Sequence, residues 1–389
     1  MIAAAPQDSA TPTARDVPIS PFLSAKLRAL MWLAVVAVVF VHAYNLGSRV
    51  LAGENAGDVP GAAGAVGFVE YLVSQTLTRW PAALFFAISG FLFFRNLTPG
   101  IAQYLEKWRR RGRTLVLPYL LWSVWGLLVY LLLHVLPGSS RYVSHGAIDA
   151  MDAATVVDRL LLHPVAYPLW FLQALVVCLV LAPLIAWLVR VVSWAALVPF
   201  AVPWLMDVDV GLGDYVQFKA LLFFTLGAAI ATHLRQGKAV PATGADGPAT
   251  SAALGRWLLP LFVVACVVFT ATLRGDESWA VGLVHKLLMC LAVAALWFGY
   301  DAYLSGLARR RWVTATAAFT FFVFAAHEPP LMIFKRLLLH AGGGPAASDA
   351  VVLAAYFVAP VATIALCLCA GWALRRWARP VYAVLTGGR

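Results

Sequence analysis

Long apolar runs separated by short polar and basic stretches recur along the chain. A run of about 20 apolar residues is long enough to cross the hydrocarbon core of a bilayer as an α-helix. The sequence therefore predicts an all-α polytopic membrane protein. On this pattern we expect about ten membrane-spanning helices, at 27–46, 80–96, 114–136, 169–189, 193–206, 217–234, 256–273, 281–303, 314–339 and 351–373.

Composition and charge place these helices in one domain. Of the 389 residues, 62% are hydrophobic and 12% are charged, whereas about 25% are charged in a typical soluble domain. The polar, proline-containing segment 1–25 is predicted to be a disordered cytoplasmic leader. We expect a transmembrane domain over 26–380 and a cytoplasmic tail over 381–389. The cysteines lie in apolar runs without metal-ligand spacing, so no metal site is predicted: Cys178, Cys266, Cys290, Cys367 and Cys369.

The basic residues indicate how the helices are oriented. With the N-terminus in the cytoplasm and ten crossings, the inner segments contain 20 of the 29 lysines and arginines. An excess of positive charge on cytoplasmic loops is the rule that orients membrane proteins. The sequence therefore predicts that both termini are cytoplasmic. The net charge of +11 then follows from topology, and it does not indicate a nucleic-acid surface.

One imidazole interrupts the apolar stretch "WLAVVAVVFVHAYN" near the outer end of the first helix. A polar side chain inside a membrane is costly and usually faces the bundle interior or a cavity. His42 fits two interpretations, a hydrogen-bonded structural histidine or a catalytic one. A carboxylate near such an imidazole raises its basicity and makes it a better general base.

A second polar group lies in the middle of the ninth predicted helix, in "FAAHEPPLMIF". His327 and Glu328 are expected at about the depth of His42. Pro329 and Pro330 remove backbone donors, which is tolerated where the backbone lines a cavity. The motif fits either a kink without chemistry or a catalytic group that completes a site with His42.

Two further motifs permit both a structural and a functional interpretation. The stretch "EKWRRRGRTLVLPYLLW" places four arginines at the inner mouth of the third helix. They fit membrane anchoring, or binding of a polyanionic ligand from the cytoplasm, because guanidinium groups match phosphate oxygens. Ser89, in "FFAISGFLFF", fits close helix packing or a gap that admits a substrate. The arginines are Arg109, Arg110, Arg111 and Arg113.

These motifs, in this order, resemble those of the acyltransferase 3 family of integral-membrane O-acyltransferases. The resemblance rests on "VVFVHAYN", "FFAISGFLFF", "RRRGRTLVLPYLLW" and "PLWFLQAL", together with "FFVFAAHEPPL", and it covers residues 24–380. It implies transfer of an acyl group, commonly acetyl from acetyl-CoA, to a hydroxyl of a surface glycan or its lipid-linked precursor. Acetyl-CoA is then a cosubstrate, and no permanently bound cofactor is expected.

The resemblance also implies roles for individual residues. His42 matches the family's essential histidine, with Glu328 and His327 expected to orient it or to shuttle its proton. Arg110 and Arg113 match an Arg-x-x-Arg pattern associated with the acyl donor. The chain departs from the family at Met31, where many members have an arginine; Arg28 lies one turn earlier. Tyr44, Asn45 and Trp170 are further candidates for binding the sugar.

One alternative class competes with the enzyme at this point. A proton-coupled exporter of a glycan or lipid-linked sugar would also use an intramembrane histidine and glutamate. The sequence shows no repeated halves, which many transporters have. In either case we expect a multi-pass protein of the bacterial inner membrane whose partners are membrane lipids, acyl-CoA and a glycan, with no nucleic acid.

Overall fold

A computed structural model describes most of the chain, and all the regular elements in it are helical. The all-α prediction is therefore confirmed. Within the described residues, eight continuous helical segments are long and apolar enough to cross a membrane, whereas the predicted count of ten and the cytoplasmic location of both termini stay predictions. The described residues are 17, 19–44, 64–98, 100–135, 152–210, 216–238, 248–344 and 347–388.

The helices are numbered in chain order. Wider π-helical turns extend α2 and α12 and join α4 to α5. The α-helices are α1 (Pro21–His42), α2 (Ala65–Tyr71), α3 (Pro81–Phe94), α4 (Ile101–Arg111), α5 (Leu117–Val135), α6 (Ala153–Leu161), α7 (Trp170–Val180), α8 (Ala182–Val192), α9 (Val198–Leu205), α10 (Phe218–Arg235), α11 (Pro248–Leu273), α12 (Trp279–Gly299), α13 (Arg311–Ala317), α14 (Thr320–Ala326), α15 (Pro330–Ala341), α16 (Asp349–Trp377) and α17 (Arg379–Thr386).

Helix α1 begins and ends earlier than the predicted 27–46. The Ser20 hydroxyl accepts a hydrogen bond from the Leu23 N–H at 3.1 Å, and Pro21 occupies the first turn. Both are strong helix-start features. The last residues of the segment predicted to be disordered, 21–25, are therefore helical, while 1–16 and 18 lie outside the described residues.

The ninth predicted helix, 314–339, is three shorter helices. Helix α14 ends at Ala326, and α15 begins at Pro330. The break falls at Pro329 and Pro330, which have no N–H to continue the backbone ladder. His327 and Glu328 therefore lie at a helix break, where their backbone is not constrained to the regular helical path.

Two glycines bring α3 and α10 into close contact at the centre of the bundle. A Cβ at Gly90 would lie 2.1 Å from the Phe224 carbonyl oxygen, and one at Gly227 would lie 2.0 Å from the Ala87 carbonyl oxygen. Only glycine leaves space for backbones this close. The two helices run parallel at this contact, so both begin at the same end of the molecule.

The two ends of the bundle are distinguished by the direction of α1. The end where α1 begins is called the arginine end, and it contains the ion pair of Lys26 and Asp301, whose charged atoms are 2.7 Å apart. The histidine end is the one where α1 ends, at His42. The 22 residues of α1 give a separation of about 33 Å between these ends.

The C-terminal residues 381–386, predicted as part of a tail, are helical in α17. The Trp122 indole N–H of α5 donates a hydrogen bond to the Leu385 carbonyl oxygen at 3.0 Å. Tyr382 is buried, and its ring stacks on Phe322 with 5.8 Å between centroids. The end of the chain therefore packs as part of the bundle at the arginine end.

Candidate functional site

A cavity of about 180 Å³ opens at the histidine end, next to the last turn of α1. We call it the histidine chamber. Side chains from α1, α3, α7, α10, α12 and α14, and from the turns that precede α3, α7 and α10, line it. The polar and aromatic members of the lining are His42, Thr78, Arg79, Phe85, Tyr167, Trp170, Phe171, Gln217, Lys219 and Phe324.

His42 is half-buried in the chamber wall. The centroid of its ring lies 5.5 Å from the centroid of the His327 ring and 5.8 Å from that of Tyr167. The charge of Arg79 is near enough to act on it. The structure therefore brings together the two histidines that the sequence placed at similar depth.

His327 is fully buried, and its protonation pattern follows from its neighbours. Its Nδ1 lies 2.7 Å from the Phe324 carbonyl oxygen and 3.3 Å from the Val323 carbonyl oxygen. Because a carbonyl oxygen only accepts hydrogen bonds, Nδ1 carries the proton and Nε2 of the neutral ring is an acceptor. Nε2 is buried and has no hydrogen-bond partner among the described residues. Nε2 is therefore a basic nitrogen without a donor in the described part of the chain, and because His327 is not among the residues that line the chamber, it faces the chamber through its neighbour His42.

Glu328 has different neighbours from His327. It is half-buried, and the charges that act on it belong to Lys335 and Arg336, further along α15. The buried Lys335 ammonium in turn donates to the Tyr44 carbonyl oxygen at 3.1 Å. Glu328 is thus connected to the end of α1 through a lysine. That it orients His42 directly stays a prediction.

Of the predicted sugar-binding residues Tyr44, Asn45 and Trp170, only Trp170 is among the described residues that line the chamber. Trp170 lines it, and the Lys219 ammonium lies 5.0 Å from the centre of the indole. The Tyr44 ring lies next to Tyr71, with 6.4 Å between centroids. Asn45 is outside the described residues.

A second cavity, of about 280 Å³, lies nearer the arginine end. We call it the arginine-side cavity. Ser89 and Met31 line it, and that Ser89 admits a substrate stays a prediction. Its other polar or aromatic lining residues are Phe85, Arg111, Phe171, Thr320, Phe321, Phe324, Tyr382 and Thr386.

Among the four predicted donor-binding arginines, Arg111 is the one that lines this cavity. Arg109, Arg110 and Arg113 are exposed around it at the same end. That they bind the acyl donor stays a prediction. Arg28 is exposed and is not part of the lining, whereas Met31, the position of the departure from the family pattern, is.

The two cavities meet at three phenylalanines, Phe85, Phe171 and Phe324, which line both. The centroid of the Phe171 ring lies 5.7 Å from those of Phe85 and Phe324. We call this cluster the phenylalanine boundary. Phe324 also supplies the carbonyl oxygen that fixes the His327 ring. The two cavities are therefore neighbours, and the three aromatic rings lie between them.

Sequence reasoning missed Arg79, Tyr167, Gln217 and Lys219 as chamber residues. Arg79 lies two residues before the start of α3, and Lys219 lies in the first turn of α10. A basic residue at a helix boundary is also what membrane anchoring predicts. The signal that distinguishes them is the close packing of α3 and α10, which was not deduced from either helix alone.

Comparison with known proteins agrees with the motifs. The acyltransferase 3 family model, described as an acyltransferase domain, matches residues 25–374. The succinoglycan biosynthesis protein ExoH of Rhizobium meliloti (strain 1021) is 26% identical over 383 residues, which are 94% of this chain and 93% of that protein. No solved structure matches the chain. The matched residues include the helices that carry His42 and Ser89, and the break at His327.

Proposed function

This chain belongs to the acyltransferase 3 family, and on that premise we propose that it transfers an acyl group, such as acetyl, from acyl-CoA to a hydroxyl of a cell-surface polysaccharide or its lipid-linked precursor. The proposed setting is the bacterial cytoplasmic membrane. The name of the relative, a succinoglycan biosynthesis protein, supports a polysaccharide acceptor.

The observation that carries the proposal is the pair of cavities that meet at the phenylalanine boundary. One is lined by Arg111 and the other by His42. Coenzyme A has a phosphate-rich head and a long thin arm that ends in the thioester. Arginines bind the phosphates, and the arm extends through the arginine-side cavity, past Ser89, toward the histidines. The donor and the acceptor then approach the reacting centre from opposite ends of the bundle.

The reaction itself requires removal of a proton from a hydroxyl. His42 takes this proton as the hydroxyl oxygen attacks the thioester carbonyl carbon. The C–O bond forms, the C–S bond breaks, and the CoA thiolate leaves and receives the proton. Nε2 of neutral His327 accepts a hydrogen bond from protonated His42 and stabilises its charge. Because the Nδ1 proton of His327 is held by backbone carbonyls, the acceptor nitrogen keeps its direction.

The same groups also permit a two-step path. In that path His42 attacks the thioester, carries the acyl group briefly and passes it to the hydroxyl. A covalent acyl-enzyme formed with acyl-CoA alone, and detected by intact-protein mass spectrometry, distinguishes it from direct transfer.

The test of the function uses a deletion strain complemented with His42→Ala, with His163→Gln as the control. His163 is an exposed histidine at the same end and does not line the chamber. We expect His42→Ala to abolish the ester on the surface glycan, measured by mass spectrometry, while export of the glycan continues. If the deletion strain loses export of the glycan but the glycan that it retains still carries the ester, the proposal is contradicted and the exporter is favoured.

A further inference from the structure

The histidine chamber is built at the N-termini of two long parallel helices. Helix α3 begins at Pro81 and α10 at Phe218. The glycines that bring them together, Gly90 and Gly227, each lie nine residues after the start of their helix. The two N-termini therefore lie at the same level. Pro81 and the residue before Phe218, Gln217, both line the chamber.

A helix N-terminus has unpaired N–H groups and the positive end of the helix dipole, so it attracts anions. Two such termini side by side add their effects. Neither helix is capped by a side chain. The first N–H groups of both helices therefore have no side-chain acceptor and lie beside the chamber.

Two cationic side chains strengthen this positive region. The Arg79 guanidinium donates to the Gln75 side-chain oxygen, and the Lys219 ammonium lies over the Trp170 ring. The charges of Arg79 and Lys219 are near enough to act on each other. Like charges held close together inside a membrane protein are costly unless an anion lies between or beside them.

Three carboxylates at this end interact with cations other than Arg79 and Lys219. Asp207 pairs with Lys286 at 2.5 Å, and the charges of Glu70 and Glu328 act on Lys335. No aspartate or glutamate is among the described residues that line the chamber. Asp207 and Asp209 line a neighbouring, more open cavity that Lys219 and Gln217 also border, so acidic side chains lie on the outer side of the positive region and not in the described wall of the chamber.

We propose that Arg79 and Lys219, together with the starts of α3 and α10, bind a carboxylate of the substrate in the histidine chamber. The inference rests on the proposed function and adds the chemical class of the substrate. The carboxylate belongs either to the far end of a dicarboxylic acyl group, such as succinyl, or to an acidic sugar of the acceptor. In both cases it anchors the substrate next to His42, in the same cavity.

The first experiment separates these two sources. Inside-out vesicles from the source strain, which contain the acceptor, receive labelled succinyl-CoA or acetyl-CoA. If the acyl group carries the carboxylate, we expect Lys219→Met and Arg79→Gln to lower the ratio of kcat/KM for succinyl transfer to that for acetyl transfer by about 10-fold or more. If the acceptor carries it, the variants raise the KM for the glycan, and reduction of the glycan carboxyl groups to alcohols removes the difference from wild type.

Two variants serve as controls. Lys219→Arg keeps the charge and is expected to retain most of the succinyl or acidic-glycan preference. Lys238→Met removes one positive charge from an exposed position at the arginine end and is expected to change neither. Equal losses with both donors, independent of glycan carboxyl groups, overturn the carboxylate site and assign these cations to the reaction step or to folding.

A binding measurement keeps the inference independent of the proposed activity. Purified protein in nanodiscs is titrated with sodium succinate and with sodium glucuronate, and sodium chloride of equal ionic strength is the reference. We expect one of the two carboxylates to raise the thermal midpoint of the wild type and not of Lys219→Met. Stabilisation without any acyl transfer contradicts the proposed function alone, whereas acyl transfer without carboxylate-specific stabilisation or selectivity contradicts the anion site alone.

Discussion

The imidazole rings of His42 and His327 lie 5.5 Å apart, centroid to centroid, at the point where two helices end. His42 is the last residue of α1, and His327 follows the last residue of α14. A helix end leaves backbone groups free to hold a side chain, and His327 Nδ1 donates to one of them, the Phe324 carbonyl oxygen, at 2.7 Å. One histidine thus has a fixed direction, while the other faces the cavity.

The histidine pair predicts that the two side chains act as a unit. We expect His42→Ala and His327→Asn each to lower acyl transfer by at least about 100-fold, because proton transfer by a positioned side chain contributes that much. The double variant should lose little more than the worse single variant, since residues that act together are not additive. Transfer rates in membrane vesicles measure both effects.

The choice of Asn at 327 separates catalysis from folding. Its amide reaches the position of the imidazole Nδ1 and keeps a donor for the carbonyl oxygens, but it lacks a nitrogen at the position of Nε2. A His327→Asn protein that is well folded and fully active would contradict the role of Nε2, and His163→Gln controls for loss of a histidine at the same end.

Arg111 is expected to matter for the donor. Because its side chain lines the arginine-side cavity, Arg111→Gln should raise the KM for acyl-CoA by about 10-fold, the value of one charge-assisted contact to phosphate. The kcat should change less. Initial rates over a range of acyl-CoA concentrations give both constants. Arg376→Gln, at an exposed position of the same end, should leave the KM unchanged, and an equal effect of both variants would point to general surface charge.

The phenylalanine boundary is expected to limit access between the two cavities. Phe324→Ala removes the ring that lines both cavities and lies above the His327 contact. We expect faster hydrolysis of acyl-CoA without acceptor, because water then reaches the thioester, and more use of longer acyl chains. A thiol reagent that detects released CoA measures both the hydrolysis rate and the dependence of the rate on acyl-chain length.

Two companion variants keep this test informative. Phe324→Leu should give an intermediate effect if the size of the side chain is what closes the path. Phe357→Ala, on an exposed face of α16, should have none. Because a buried phenylalanine truncated to alanine costs about 3–5 kcal/mol of stability, thermal unfolding of each variant is measured alongside. Unchanged chain-length preference in a folded Phe324→Ala protein would argue against the boundary.

The sequence predicts those features that depend on one helix at a time. Apolar runs give the helices, and Pro329 with Pro330 marks the place where one of them departs from regularity. The family resemblance brings His42 and the arginine segment to opposite ends. These are local patterns, or an order of motifs, and both can be read without knowing which helices touch.

The remaining features depend on contacts between helices. Arg79 and Lys219 share a chamber because Gly90 and Gly227 let α3 and α10 pack in register. Arg111, rather than its three neighbours, lines the cavity because of the direction of one side chain on a helix. No periodicity within a single helix contains this information.

Glu328 could act on His42 directly, as a proton relay, or through Lys335, and a substitution distinguishes the two roles. A direct proton relay to His42 predicts a loss of at least about 100-fold for Glu328→Gln. The geometry predicts less, because the charge of Glu328 acts on Lys335, which holds the Tyr44 carbonyl oxygen beyond the end of α1. We expect a loss of about 10-fold, the value of one hydrogen bond to a charged group, measured as the transfer rate under saturating donor. A loss equal to that of His42→Ala would restore the direct role.

The glycine contact between α3 and α10 supports the chamber and predicts a sharp difference between two alanine variants. A Cβ at Gly227 would lie 2.0 Å from the Ala87 carbonyl oxygen, and backbone cannot move aside as a flexible side chain does. We expect Gly227→Ala to force the helices apart at a cost of about 1–3 kcal/mol or more. A lower thermal midpoint in detergent and reduced transfer should follow together, because the starts of both helices line the chamber.

Gly282 is the matched control, since it also lies within a long apolar helix, α12, and a Cβ there would have no atom within 4 Å. Gly282→Ala should leave the protein as stable as the wild type or stabilise it by about 0.5–1 kcal/mol, because alanine loses less conformational freedom in a helix. Equal thermal midpoints for Gly227→Ala and Gly282→Ala would show that α3 and α10 do not depend on this contact. In that case the glycine contact would not explain why the N-termini of α3 and α10 lie side by side at the proposed anion site.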